Sequence, residues 1–286
     1  IVGDSPGGPW TAAWVHSVYH GAGMDAVVRA GGELNDDFGT AEVRFPEGRT
    51  AKSFSYTSWL QKADAIIDFA KLKTHGMAGM TCAVKNFFGT IPGTRKPEMH
   101  YMHPNTPDFC SLLVDLALYN APRLTLVDAV ECMEGNGPTQ GTPRHMGALL
   151  AADTPFNADL VCAHLIGLEA MNTPTVAEAV SRGLCPTDWR ELELSGDPDE
   201  FALPDFETLP VGAKIDFRTK LPIVSAFMRR AFGTGPKIDR VKCVGCGKCA
   251  QVCPAKAAEV VKGKARIDAK KCIRCFCCQE FCPRGA

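Results

Sequence analysis

Cysteine spacing constrains this chain more than any other feature. Cys243, Cys246, Cys249 and Cys253-Pro254 form C-x2-C-x2-C-x3-C-P, and Cys272, Cys275, Cys278 and Cys282-Pro283 repeat the pattern. Three thiolates at this spacing wrap three corners of a cubane cluster, and a fourth, held beyond a proline turn, reaches the neighbouring cluster. The pattern predicts two [4Fe-4S] clusters, one held by Cys243, Cys246, Cys249 and Cys282, the other by Cys272, Cys275, Cys278 and Cys253. Cys277 stands outside the pattern and is expected to pack beside the second cluster. Gly245 and Gly247 let the backbone fold tightly and aim N–H groups at sulfur. Structural zinc competes less well, because a third cysteine two residues on crowds a pair of CxxC knuckles. Disulfides would need an oxidising compartment. Five scattered cysteines (Cys82, Cys110, Cys132, Cys162, Cys185) argue against one, so a cytoplasmic setting is expected.

The charge divides where the cysteines do. From Pro236 onward there are 12 Lys and Arg against 4 Asp and Glu, which leaves 19 basic against 28 acidic residues in 1–235. A Gly/Pro breaker, Gly233-Thr234-Gly235-Pro236, follows an apolar, basic-tipped helix pattern from Leu221 to Phe232. The expected organisation is an acidic main domain over 1–235 and a small basic cluster domain over 236–286. The tail resembles bacterial-type ferredoxins with two [4Fe-4S] clusters, which implies a small α+β fold that passes single electrons. Its basic surface either docks an acidic partner or merely balances the clusters. The net charge of −1 gives no case for nucleic acid, and no apolar run of about 18 residues predicts a membrane span. The chain opens Ile1-Val2-Gly3-Asp4, which reads as a strand end entering a turn. The main domain is therefore expected to lack its N-terminal part.

The middle alternates strand-like and helix-like segments. Ala63 to Phe69, Arg123 to Val127 and Met146 to Ala152 read as strands, the first ending in a Lys-rich loop. Asp108 to Tyr119, with Leu112, Leu113, Leu116 and Tyr119 in one stripe, reads as a helix, as do Asn157 to Leu168 and Val176 to Gly183. Such alternation predicts an α/β fold with a mainly parallel sheet and flanking helices.

Gly3-Asp4-Ser5-Pro6-Gly7 matches G-x-S-x-G in form, but Pro6 has no N–H for an oxyanion hole, so Ser5 is not a hydrolase nucleophile. The glycine-rich run Gly135 to Gly141 is neither a dinucleotide fingerprint nor a Walker loop. More telling are Lys85 and Asn86, which interrupt an apolar segment after Lys71-Leu72-Lys73-Thr74-His75. A buried lysine must be paired or titrate low, which favours chemistry or an anionic ligand. His75, His100 and His103 are available for proton transfer or metal binding. Asp128 follows the strand at Val127, with Glu131, Glu134 and Asn136 beyond it. Ligands of open α/β sheets lie beyond the carboxyl ends of strands, so Asp128 and Glu134 are expected to face the crevice of Lys85. The bland alternatives are a paired surface lysine and, for Asp128, a helix cap.

Lys71 to His75, Lys85-Asn86-Phe87-Phe88-Gly89 and Asp128…Met133-Glu134-Gly135-Asn136-Gly137-Pro138 resemble the motifs of the family called domain of unknown function 362. A ferredoxin tail often follows in that family. The resemblance covers nearly the whole chain and implies no established reaction. His75, Lys85 and His100 are also spaced in a way similar to the lactate racemase family, which implies only a pocket lined by His and Lys. In that family a glycine pair precedes the lysine, where this chain has Ala83-Val84.

Two functions follow. In the first, the main domain is a redox enzyme: electrons arrive through the clusters, His75, Lys85, His100, Asp128 and Glu134 form the catalytic set, and Asn86 and Asn136 help bind an unknown small-molecule substrate. In the second, the protein is a non-catalytic electron carrier or scaffold with the main domain as docking platform. Either needs a redox partner protein or a small-molecule electron donor.

Overall fold

A computed structural model describes residues 1–209 and 236–286. The helix expected over Leu221 to Phe232 and the boundary at Gly233 to Gly235 lie outside the described residues. The N-terminal segment holds helices α1 (Ala12–Gly21) and α2 (Asp25–Arg29), and Val2 bridges Leu34 in parallel. Strands β1 (Thr40–Arg44) and β2 (Ser53–Thr57) pair antiparallel as a hairpin.

The central sheet begins with β3 (Ile67–His75) and β4 (Gly79–Thr81), followed by helices α3 (Ala83–Asn86), α4 (Lys96–Met102) and α5 (Thr106–Asn120). Strands β5 (Leu124–Glu134) and β6 (Thr142–Ala152) complete it, and helices α6 (Pro155–Leu165) and α7 (Pro174–Ser181) follow. The strand order is β4-β3-β5-β6.

This sheet is mixed, which corrects the expectation of a mainly parallel one: only β3–β5 is parallel, while β3–β4 and β5–β6 are antiparallel. The reason lies in connection length. β3 reaches β5 only after α3, α4 and α5, long enough to cross over, whereas β4 and β6 each follow a short reversal, which permits only antiparallel pairing. Two strand ends also move. The Lys-rich stretch after Phe69 is strand, with Asp68, Ala70, Leu72 and Thr74 buried in alternation. β5 runs on past Asp128 through a register shift between Ala129 and Glu131.

Helix α5 is the centre of the main domain. Asn105 caps its start by accepting from the Asp108 N–H at 2.9 Å, and a proline stands in its first turn. The expected stripe is wider in the fold: Phe109 through Ala117 are all buried, as befits a helix enclosed on every side. Leu112, Leu113 and Leu116 are wholly inaccessible, each contributing about 1.5–3 kcal/mol of apolar burial. A second core joins the sheet to α6 through Leu72, Val127, Leu160 and Cys162.

The tail contains α8 (Lys248–Val252), the antiparallel strands β7 (Ala258–Val261) and β8 (Lys264–Ile267), and α9 (Cys277–Glu280). It packs on the main domain through its last turn. Gln279 donates to the Asn136 side chain at 2.8 Å and Gln140 to the Cys282 carbonyl at 3.3 Å. Phe281 sits over Gly7, where an added Cβ would lie 2.5 Å from the ring, so this approach requires glycine.

Candidate functional site

The eight motif cysteines surround two cavities. Cys243, Cys246, Cys249 and Cys282 line one, and Cys253, Cys272, Cys275 and Cys278 line the other, with Cys278 also bordering the first. Each cavity thus has the four cysteines of one expected set on its wall, with Cys278 common to both. Gly245 permits the first loop: its φ is +68°, and a Cβ there would lie 2.2 Å from the Gly263 carbonyl. Backbone N–H groups of Ala265 and Ala257 donate to the sulfurs of Cys243 and Cys253 at 3.3 and 3.1 Å. Such bonds stabilise thiolates and tune cluster potential. Among the described residues no three Cys, His, Asp or Glu side chains converge as a single ion requires. A cubane spreads its four ligands around a larger body than a single ion, and each cavity has the four motif cysteines of one set on its wall.

A second cleft, of about 210 Å³, lies where the tail meets the main domain. Lys73 from β3, Lys85 from α3, and Lys96 and His100 from α4 contribute one wall, and Cys277, Glu280 and Phe281 the other. Cys277 also lines the cavity of Cys253, Cys272, Cys275 and Cys278, so it borders both that cavity and the cleft. Lys85 and Lys96 place their ammonium groups 5.5 and 5.6 Å from the centre of the Phe88 ring. Lys96 also donates to the carbonyl of Ser5, whose hydroxyl is buried and unpartnered. Burial, then the charge of Lys85, lowers the pKa of Lys73, and burial lowers that of Lys96.

His75 is wholly buried and stands behind the cleft rather than in it. Its Nδ1 accepts from the N–H groups of Met77 and Ala78, both at 3.1 Å, so the ring proton resides on Nε2 and is donated to Glu280 at 3.2 Å. Burial, then the charge of Lys85, pushes the His75 pKa down to about 4. Burial alone would raise Glu280, but the His75 hydrogen bond and the charge of Lys85 outweigh it and bring its pKa to about 2. The neutral imidazole thus orients a carboxylate that reaches the cleft from the tail. His100 stacks on Phe109 at 4.2 Å, and burial pushes its pKa down to about 3.

Asp128 and Glu134 do not face this cleft, contrary to expectation. Asp128 accepts from Lys71 at 2.8 Å, opposite it in the β3–β5 register, and from the Val130 N–H at 3.0 Å. Glu134 accepts from the Glu207 N–H at 3.1 Å. Because β5 continues past Asp128, neither acid sits where the expected strand end would have put it. Asn86 borders the cleft, but its amide is committed to Asp68 at 2.7 Å and the Phe69 carbonyl at 3.2 Å. Asn136 binds Gln279 of the tail. Sequence reasoning missed Lys73, Thr81 and Glu280 as cleft residues. Strand alternation was the signal for Lys73. Nothing local pointed to Glu280, which lies 205 positions from His75.

The family described as domain of unknown function (DUF362) matches residues 1–164, and the family described as 4Fe-4S dicluster domain matches residues 235–283. The latter assigns two [4Fe-4S] clusters to the tail. The chain is 34% identical over 192 residues to the thylakoid-associated protein sll1697 of Synechocystis sp. (strain ATCC 27184 / PCC 6803 / Kazusa), a match covering 65% of this chain. It spans 60% of the length of that relative. No solved structure matches. Among the described residues no helix is long and apolar enough to cross a membrane.

Proposed function

The chain belongs to the DUF362 family, and from that premise we propose that it is an iron–sulfur oxidoreductase whose small-molecule substrate occupies the cleft at the seam between main domain and tail. One observation carries this reading: Cys277 lines both the cleft and the cavity of the second cysteine set. The clusters supply or accept electrons one at a time. Lys85, at the rim of Phe88, holds the substrate against the tail or delivers a proton to it. His75 is a positioning residue: it holds Glu280 and leaves proton delivery to groups inside the cleft. The electron donor is a redox partner protein or a small molecule that reaches the tail. A cytoplasmic, reducing setting suits eight cluster-ligating cysteines and six further ones; the thylakoid association belongs to the relative.

The test uses cluster-loaded protein reduced under argon and mixed with fractions of a small-molecule extract, while the EPR signal of the reduced clusters is followed. One fraction is expected to reoxidise the wild type on the order of 100-fold faster than Lys85→Met. Equal rates in both proteins, or no active fraction, would leave the protein an electron carrier whose main domain serves for docking.

A further inference from the structure

We infer that the cleft binds a small oxyanion, a carboxylate or a phosphate, clamped between Lys73 and Lys85, and that the bound charge is felt by the cluster of Cys253, Cys272, Cys275 and Cys278. The inference deepens the reading of the cleft as a substrate site and rests on it.

The charge is unbalanced. Lys73, Lys85 and Lys96 meet two carboxylates in the cleft, those of Asp4 and Glu280. Glu280 is engaged by His75, and Lys96 is held by the Ser5 carbonyl. Lys73 and Lys85 have no hydrogen bond or ion pair among the described residues. A partly buried cation with no hydrogen bond or ion pair is costly, and three cations against two carboxylates leave the cleft short of negative charge.

Two further lining residues carry buried polar atoms without a partner, Thr81 Oγ1 and His100 Nδ1. Buried polar atoms are almost always satisfied, and these two sit on residues of one cleft, where a bound group would give them a partner. The hydroxyl and the two ammonium groups are donors, and the neutral imidazole donates from Nδ1 when its proton is there. A ligand matching this set is rich in acceptor oxygens. At about 210 Å³ the cleft is smaller than the roughly 300–1,000 Å³ of drug-sized pockets, which suits a short organic acid or phosphoester. Phe88, Pro97 and Phe281 give such a ligand apolar walls for its carbon skeleton.

Position then couples binding to redox state. Cys277 borders both the cleft and the cavity of the second cysteine set, so an anion in the cleft lies close to that cluster's ligands among the described residues. A negative charge there opposes adding an electron to the cluster. By reciprocity, reduction must weaken the anion's binding by the same factor that the anion disfavours reduction.

The experiment titrates inorganic phosphate and, separately, malonate into cluster-loaded protein by calorimetry, with malonamide as the uncharged control. Reduction potentials are read by EPR-monitored titration with and without each anion. At least one anion is expected to bind the oxidised protein, about tenfold more weakly in Lys73→Gln and in Lys85→Gln, with full iron content retained. Thr81→Val is the second, milder variant, expected to weaken binding by a few-fold. A tenfold weakening on reduction corresponds to a potential about 59 mV lower with the anion bound, for a one-electron couple. Phosphate binding alone assigns the site to phosphoesters, and malonate binding alone to carboxylates. No binding by either, binding equal to that of malonamide, or affinities unchanged in all three variants (an adventitious ion only) overturns the inference. Binding with no change of potential overturns its second half. Lys85-dependent reoxidation by a neutral compound, with no anion bound, would sink the inference and spare the proposed function; anion binding with a shifted potential but no reoxidising compound would do the reverse.

Discussion

Cys277 and Cys278 are adjacent in the chain and opposite in surroundings. Cys278 borders both cysteine cavities, whereas Cys277 faces the second cavity and the lysine cleft. Spacing had already separated them, because only Cys278 completes the C-x2-C-x2-C run. Cys278→Ala is expected to lower bound iron from about eight to about four per chain, while Cys277→Ala keeps about eight, by iron and sulfide analysis. The reverse result would exchange their roles. His100 makes a different prediction. Burial keeps His75 and His100 neutral, with pKa values near 4 and 3, and pushes Asp68 and Asp159 up to about 7. A depressed histidine binds its proton only on unfolding, so its stabilisation is present above its unfolded pKa and lost as pH falls. A raised carboxyl does the opposite, its stabilisation being lost as pH rises towards 7, and the two pairs offset one another. His100→Phe removes one histidine. From about pH 5 to pH 6 its stability should decline relative to wild type by about 1 kcal/mol per pH unit, measured by urea unfolding of the cluster-loaded protein. Parallel curves would mean that His100 is charged in the native protein.

At the scale of elements, one carboxylate ties three of them together. Asp115 in the middle of α5 accepts from the N–H groups of Arg49, Thr50 and Ala51, in the turn between β1 and β2, at 2.9, 2.6 and 2.7 Å. Arg182, just beyond α7, donates to it at 2.5 Å. Burial opposes the charge on Asp115, but Arg182 and these N–H groups outweigh it and lower its pKa. Asp115→Ala leaves three N–H groups without their acceptor, while Arg182 keeps Glu178 and Ser111, at an expected loss of about 2–4 kcal/mol read from the urea midpoint. A loss under about 1 kcal/mol would show that the turn and α7 are held some other way. Apolar patterning over helical lengths revealed α5, α6 and α7, although α5 and α6 are buried nearly all round and only α7 packs a single apolar face. It misjudged β3, because Lys71 and Lys73 read as loop residues although they alternate with buried Leu72 and Thr74. It also misjudged the direction of β6, since pairing direction depends on how the chain returns and not on the strand's own composition.

At the scale of the molecule, the decisive feature is a seam. The α/β domain contributes a wall of cations, and the tail contributes Cys277, Glu280 and Phe281. Neither part makes the cleft alone. The sequence by itself determined the two-cluster chemistry of the tail and the acidic and basic halves, because local spacing and residue type specify each of them. Only the tertiary structure decided that His75 serves Glu280 across 205 positions, that Lys73 and Thr81 join Lys85, and that Asp128 pairs with Lys71 away from the cleft. The physical reason is that ligation by closely spaced thiolates is a short-range property of the chain. Burial, charge balance and orphaned donors arise only when distant segments are packed together and water is excluded between them.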